Sequence, residues 1–110
     1  MKQGEIWEVY FDPVLGSEQG GRRPALIISG NLVNNNLNTI IACPLTSKLK
    51  NYHGNLILQP SADNGLSKTS EVMIIHIRSI SKERFLKKMG AISKPDFDTV
   101  KEGLDKIIKY

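Results

Sequence analysis

The fold of this chain is decided by a glycine-rich loop and the apolar strand after it: Gly16-Ser17-Glu18-Gln19-Gly20-Gly21-Arg22-Arg23-Pro24, then Ala25-Leu26-Ile27-Ile28. Glycines permit backbone conformations that a Cβ would forbid, so the first part predicts a loop and the second a buried strand. Arginine presents five donors in a planar fork that matches phosphate or carboxylate. Arg22 and Arg23, at the junction of the loop and the strand, therefore indicate an anion-binding site. A hairpin loop with two solvated arginines is the alternative.

The bulk composition predicts one folded domain over residues 1–110. A chain of 110 residues, 40% hydrophobic and 24% charged, is long enough to form one hydrophobic core and too short to form two domains. No apolar run could span a bilayer, and no secretory segment is evident, so we expect a cytoplasmic protein without membrane contact. The net charge of +4 favours polyanionic partners. The single cysteine, Cys43, is expected in the core.

Short strands and one terminal helix account for the rest of the chain. Strands are predicted over residues 4–12, 24–28, 38–45, 54–59, 71–78 and 90–92. Helical turns are predicted at 31–35 and 81–84, and Pro44 implies an edge or a bulge. Ser93 is the expected N-cap of an amphipathic helix whose apolar stripe is Phe97, Val100, Leu104, Ile107 and Ile108. The fold class is mainly β: a small twisted antiparallel sheet forming a barrel, with helical inserts and a C-terminal α-helix.

The side chains at the predicted strand ends are cationic or carry hydroxyls. No zinc-type Cys/His spacing and no close trio of carboxylates is present, so we expect neither a metal nor a cofactor. No Gly-x-Ser-x-Gly elbow marks a serine hydrolase. The set that is present suits the binding of a phosphodiester: Arg22, Arg23, Thr46, Ser47, Lys48, His76 and Arg78.

Five sequence blocks lie in order along nearly the whole chain: GEIW (4–7), GSEQGG (16–21), RPALIIS (23–29), PLTS (44–47) and IRSI (77–80). Together they resemble the MazF/PemK/Kid toxins of bacterial toxin–antitoxin pairs. The resemblance implies a dimeric SH3-like barrel and a metal-independent endoribonuclease that cuts single-stranded RNA at short sequences. It also implies an antitoxin whose acidic tail occupies the RNA groove.

By this resemblance, Arg23 and Thr46 match the catalytic arginine and threonine of the family. In the implied reaction the RNA 2′-hydroxyl attacks the adjacent phosphorus, leaving a 2′,3′-cyclic phosphate and a 5′-hydroxyl. The enzyme must then stabilise extra negative charge on the phosphate, which suits a guanidinium. Arginine is a poor proton donor because its pKa exceeds about 12. Without the resemblance, Arg23 indicates a surface salt bridge and Thr46 a turn-capping hydroxyl.

The remaining RNA-binding candidates are Ser17, Glu18, Gln19, Arg22, Ser47, Lys48, His76 and Arg78. Polar side chains in a loop can read the base edges of unstacked nucleotides. Glu18 would accept from a base or a 2′-hydroxyl, or pair with Arg22. His76 would contact a base, bond to backbone as an ordinary strand histidine, or assist proton transfer. Plasmid-type relatives carry arginine and aspartate where this chain has Met73 and Ile75, which favours the arginine–threonine site of chromosomal-type relatives.

Two rival functions stay open on the sequence. A non-enzymatic toxin on the same fold would poison gyrase, since a fold does not fix a function, and it would not need Arg23 and Thr46. A plain RNA-binding barrel would bind RNA without producing a cyclic phosphate. A homodimer is expected by resemblance, with apolar strand ends and the C-terminal region supplying an isologous contact.

Overall fold

The computed structural model describes residues 1–11 and 21–109. It contains seven strands: β1 (Glu5–Phe11), β2 (Gly21–Ile27), β3 (Thr39–Thr46), β4 (Ile57–Leu58), β5 (Ser70–Val72), β6 (Arg78–Ser81) and β7 (Phe85–Ala91). The two α-helices are α1 (Asn31–Asn36) and α2 (Lys94–Lys109), and two 3₁₀ turns span Ile74–His76 and Lys82–Arg84.

Strand β3 is the centre of a curved antiparallel sheet. The strands follow the order β4-β5-β3-β2-β1-β7, and β6 also pairs with β3. Strand β2 lies on one edge of β3, while β6 and then β5 share the other edge. The sheet curls into a half-barrel, and α2 follows it as the last element of the chain. The predicted mainly β fold is therefore confirmed.

The sheet carries apolar side chains on both faces because successive residues of a strand point to opposite sides. One cluster includes Leu26, Cys43 and Leu45 and is covered by Val100 of α2; we call this side the helix-side face. The other cluster includes Ala25 and Ile27 and lies on what we call the far face; its remaining buried members are Val9, Phe11, Ile40, Ala42, Ile80 and Phe85. This alternation decides where each polar side chain at the strand ends lies.

The predicted strand over residues 71–78 is wrong. The chain forms β5, turns through Ile74–His76 and begins β6 at Arg78. Because both β5 and β6 pair along one edge of β3, the chain needs a corner between them, and Ile74 is buried at that corner, close to Gly103 of α2. An apolar run hides such a corner because apolar residues at every position leave no period to detect.

Two other predicted strands have different lengths in the structure. The strand predicted at 90–92 begins already at Phe85, and the strand predicted at 54–59 is reduced to Ile57–Leu58. The pairing of β7 with β1 shifts register between Ile6 and Trp7 and again between Glu8 and Val9. Such bulges break the two-residue alternation of a strand. The segment of β7 that contains two exposed lysines therefore shows no strand pattern in the sequence.

Three local predictions can be compared directly with the structure. Cys43 is fully buried, and burial raises the pKa of its thiol to about 12. The Asp96 backbone N–H donates to Ser93 Oγ at 3.2 Å, which confirms the N-cap of α2. Pro44 lies inside the central strand, at the point where β3 changes partner from β6 to β5. Its missing N–H therefore removes no hydrogen bond from either ladder.

Candidate nucleic-acid interface

The ends of β2 and β3 carry the part of the predicted site that the structure describes. Ser17, Glu18 and Gln19, predicted to contact RNA, fall in residues 12–20 and lie outside the described residues. Strand β2 starts at Gly21, so Arg22 and Arg23 are its first side chains, and β3 ends at Thr46.

Arg23 and Thr46 stand at the adjoining ends of β2 and β3, each two residues beyond the last pair that joins these strands. The two strands pair in the register Ala25↔Pro44, Leu26↔Cys43 and Ile27↔Ala42. The same register, if continued by two residues beyond the last pair, would set Arg23 opposite Thr46. Residues in that relation have Cβ atoms about 4.5–5.5 Å apart and share a face of the sheet. Strand register therefore brings the two predicted catalytic residues to neighbouring strand ends.

Thr46 also has a local structural role. Its Oγ1 accepts a hydrogen bond from the Lys48 backbone N–H at 3.1 Å, and the residue is only 3% exposed. This is the turn-capping hydroxyl that the sequence offered as the alternative. Because Oγ1 acts as the acceptor, its own proton remains available to donate to a phosphate oxygen.

Glu71, which the sequence did not single out, organises the loop that follows β3. Glu71 lies in β5, where it pairs with Thr46 of β3, and it is completely buried. Its carboxylate accepts backbone N–H groups of residues 50, 51 and 52 at 2.6, 2.8 and 3.0 Å, and Asn55 Nδ2 at 2.7 Å. Burial acts to raise the pKa of Glu71, but these four hydrogen bonds outweigh it and the net pKa is lowered.

Arg22 and Ser47 occupy the helix-side face, one residue away from the catalytic candidates in each strand. There they border a cavity of about 230 Å³. Its lining residues are Arg22, Arg23, Pro24, Leu45, Ser47, Leu66, Ser67, Lys68, Ser70 and Met89. Arg22 Nη1 lies 3.9 Å from Glu8 Oε1, so its ion pair is with Glu8 of β1.

The cavity wall contributed by Ser67, Lys68 and Ser70 was missed by the sequence reasoning. The turn chemistry of residues 60–65 was visible, but not the place where that turn packs. The pairing of β5 with β3 and the packing of Asp63 against Ala91 of β7 bring residues 66–70 beside the ends of β2 and β3.

The other three predicted RNA-binding residues lie at different places. Arg78 pairs with Ala42, so it is on the far face with Thr46, and its guanidinium lies 4.8 Å from the centre of the Phe11 ring. His76 is half-buried in a 3₁₀ turn and not on a strand. Lys48 is exposed just beyond β3.

Within residues 1–11 and 21–109, no three His, Cys, Asp or Glu side chains are grouped to hold a metal ion. Over the same residues, no helix has both the length and the apolar character needed to cross a membrane.

Comparisons with known proteins agree over almost the whole chain. The family model described as PemK-like, MazF-like toxin of type II toxin-antitoxin system matches residues 2–108. Endoribonuclease MazF9 of Mycobacterium tuberculosis is 31% identical over 109 residues, which cover 94% of this chain and 92% of that protein. The endoribonuclease toxin MazF of Escherichia coli K12 is 29% identical over 105 residues, covering 96% and 91%.

Solved structures give the same picture. MazF from Deinococcus radiodurans superposes with a TM-score of 0.84 at 29% identity, covering 100% of this chain and 97% of that one. A MazE-MazF structure from the same organism gives a TM-score of 0.80, also at 29% identity, with 99% and 96% covered.

Proposed function

Because the chain belongs to the PemK-like, MazF-like toxins of type II toxin–antitoxin systems, we propose that it is the toxin of such a pair. It acts as a metal-independent, sequence-specific endoribonuclease on single-stranded messenger RNA, and so inhibits translation and growth. The observation that supports the proposal is the pairing of β2 with β3, which brings the ends that carry Arg23 and Thr46 side by side. Residues 1–110 serve as a single toxin domain, acting in the cytoplasm where its substrate is found.

The reaction uses a nucleophile that RNA itself supplies. The 2′-hydroxyl attacks the adjacent phosphorus, the bond to the 5′-oxygen breaks, and the products are a 2′,3′-cyclic phosphate and a 5′-hydroxyl. Arg23 stabilises the charge that develops on the phosphate oxygens, and the Thr46 hydroxyl donates to one of them. Arg78, on the same face, adds positive charge beside the Phe11 ring, where the RNA strand would pass.

Arg23 contributes charge stabilisation in this scheme and does not carry protons. A guanidinium keeps its proton because its pKa exceeds about 12, whereas a group that shuttles protons works best with a pKa near the operating pH. Substrate contacts are assigned to Ser17, Glu18, Gln19, Arg22, Ser47, Lys48, His76 and Arg78.

A cognate antitoxin is the proposed protein partner. Solved MazE-MazF complexes show that a relative with 29% identity assembles with MazE. The strand ends of this chain carry Arg22, Arg23, Lys48, Lys68 and Arg78, a set of cations that would attract an acidic tail as readily as RNA. Antitoxin and RNA would then compete for the same surface.

A homodimer is proposed with the end of α2 at its contact. The apolar stripe of this helix is buried at Val100, but Ile107 is 43% and Ile108 is 83% exposed in the single chain. Beside them lies a cavity of about 380 Å³ bordered by Gly54, Ile74 and Ile107. A two-fold contact through this region would cover both isoleucines.

Incubation of the purified protein with one long RNA in EDTA tests the proposal. We expect defined cuts, with 5′-hydroxyl and cyclic-phosphate ends. An oligonucleotide carrying a 2′-deoxy sugar at a mapped cut should resist cleavage, because its nucleophile is absent. An intact RNA together with stabilised gyrase–DNA cleavage complexes would favour the gyrase-poisoning alternative, and RNA binding without cyclic-phosphate ends would favour a plain binding barrel.

A further inference from the structure

We propose that the helix-side cavity is a second phosphate subsite for the RNA strand, with Lys68 as its main cation. This inference rests on the proposed function, and it concerns a phosphate next to the cleavage position. It adds Ser67, Lys68 and Ser70 to the surface used by the substrate.

The lining of the cavity matches a phosphodiester segment. Three cationic residues border it, Arg22 and Arg23 from β2 and Lys68 from the segment before β5, and three serines, Ser47, Ser67 and Ser70, share the lining. The remaining lining residues are apolar (Pro24, Leu45, Leu66 and Met89), and no described lining residue is acidic. The volume of about 230 Å³ is smaller than the roughly 300–1,000 Å³ of small-molecule pockets. It is suited to a phosphate of a passing strand.

The wall that carries Lys68 is held in place by a buried asparagine. Asn64 is 5% exposed, and its Oδ1 accepts the backbone N–H groups of Ser61 and Leu66, both at 3.0 Å. Its Nδ2 donates to the Gln59 carbonyl at 2.8 Å. The turn before Lys68 is therefore closed by side-chain hydrogen bonds and is not a loose loop.

Strand β7 fixes the same turn from the other side. The Ala91 N–H donates to the Asp63 carbonyl at 2.9 Å. Gly65 has φ +69°, and a Cβ there would overlap the carbonyl oxygen of Met89, while a Cβ at Gly90 would overlap that of Asp63. Close approach of the two backbones is thus built into the sequence by two glycines.

The backbone at Lys68 itself is also tied down. Ser70, which is 5% exposed, donates from its Oγ to the Lys68 carbonyl at 2.9 Å. A cation on a fixed backbone loses less conformational entropy when it binds an anion than a cation on a mobile loop.

Strand alternation relates this subsite to the catalytic pair. Alternation directs Thr46 to the far face and its neighbour Ser47 to the helix-side face, while Arg22 and Arg23 both border the cavity. An RNA strand that crosses the ends of β2 and β3 would present one phosphate to the catalytic pair and another to the cavity.

Binding of a non-cleavable RNA at several salt concentrations tests the subsite. The probe is an oligonucleotide with a 2′-deoxy sugar at a mapped cut. For Lys68→Ala we expect the dissociation constant to rise about 3–10-fold, and the slope of log K against log salt to fall by about 0.7, the value for one phosphate contact on a single strand. Lys68→Arg should keep the wild-type slope. Lys101→Ala, which removes an exposed lysine of α2, is the matched control and should change neither quantity.

Each outcome has a distinct meaning. If the wild type cleaves RNA but Lys68→Ala binds with unchanged affinity and slope, the subsite is refuted and the proposed function stands. Equal losses of RNA affinity in Lys68→Ala and Lys101→Ala would show that the effect comes from the overall charge of the protein, and this result would also refute the subsite. A wild type that cuts no RNA would overturn the proposed function and the subsite with it. Circular dichroism of each variant shows that the fold is retained.

Discussion

Replacement of Glu71 by glutamine should destabilise the protein strongly. The side chain keeps its shape, but one carboxylate oxygen becomes an NH₂ group that faces two donors. Oε1 accepts the N–H groups of Lys50 and Asn51, and Oε2 accepts those of Tyr52 and Asn55, so either amide orientation loses two hydrogen bonds. A hydrogen bond to a charged group is worth about 1.5–3 kcal/mol, which gives a loss of about 3–6 kcal/mol.

The same carboxylate predicts a pH dependence. The pKa of Glu71 is lowered from its usual 4.5 in the folded protein. Its stabilising contribution is therefore complete above pH 4.5 and is lost as the pH falls through the folded pKa. Glutamine does not titrate, so the difference in unfolding free energy between wild type and Glu71→Gln should be largest near pH 7 and should shrink below pH 4.5.

Urea unfolding followed by far-UV circular dichroism at pH 7 and at pH 4 measures both effects. Glu102→Gln, at an exposed position of α2, is the matched control and should change the unfolding free energy by less than about 0.5 kcal/mol. A Glu71→Gln variant as stable as Glu102→Gln at pH 7 would refute the role assigned to the buried carboxylate. A gap that does not change with pH would refute its titration.

Three further predictions concern the core, the thiol and the dimer contact. Gly103→Ala should destabilise the protein by about 1–3 kcal/mol in urea unfolding, because its Cβ would lie 2.6 Å from the Gly54 carbonyl oxygen and 2.5 Å from Ile74 Cδ1. A gain of about 1 kcal/mol, usual for this change in a helix, would show that α2 packs differently. Cys43 should resist a thiol reagent at pH 8 in the native protein and react after denaturation, since burial raises its pKa to about 12; fast native labelling would contradict its burial. Ile108→Asp should shift sedimentation toward the monomer, whereas Leu32→Asp, at a position of similar exposure on α1, should not; a dimer retained in Ile108→Asp would exclude α2 from the contact.

The sequence predicted best those features that depend on neighbours along the chain. The cap at Ser93 and the burial of Cys43 follow from local chemistry and hydrophobic pattern, and the structure confirms them. The strand predicted at 24–28 is also present, but it begins three residues earlier, at Gly21. The corner at Ile74 was missed because it follows from the pairing of two strands along one edge of β3, which is a long-range property.

The candidate site shows the same division. The sequence pattern predicts Arg22, Arg23, Thr46 and Ser47 at the ends of neighbouring strands, as a single cluster. The structure divides them differently: Arg22, Arg23 and Ser47 border the helix-side cavity, whereas Thr46 does not line it. Lys68 was absent from the predicted set, because only the packing of its turn against β7 brings it to the cavity.

The rate of RNA cleavage by Arg23→Ala and Thr46→Ala tests the central claim most directly. Both variants should lose cleavage in EDTA on an RNA that the wild type cuts, while Thr99→Ala, which removes an exposed threonine hydroxyl of α2, should cut at the wild-type rate. Because Thr46 also caps a turn, Thr46→Ser should keep both the cap and the activity, and unfolding curves separate a loss of chemistry from a loss of fold. Cleavage at the wild-type rate by folded Arg23→Ala would contradict the account.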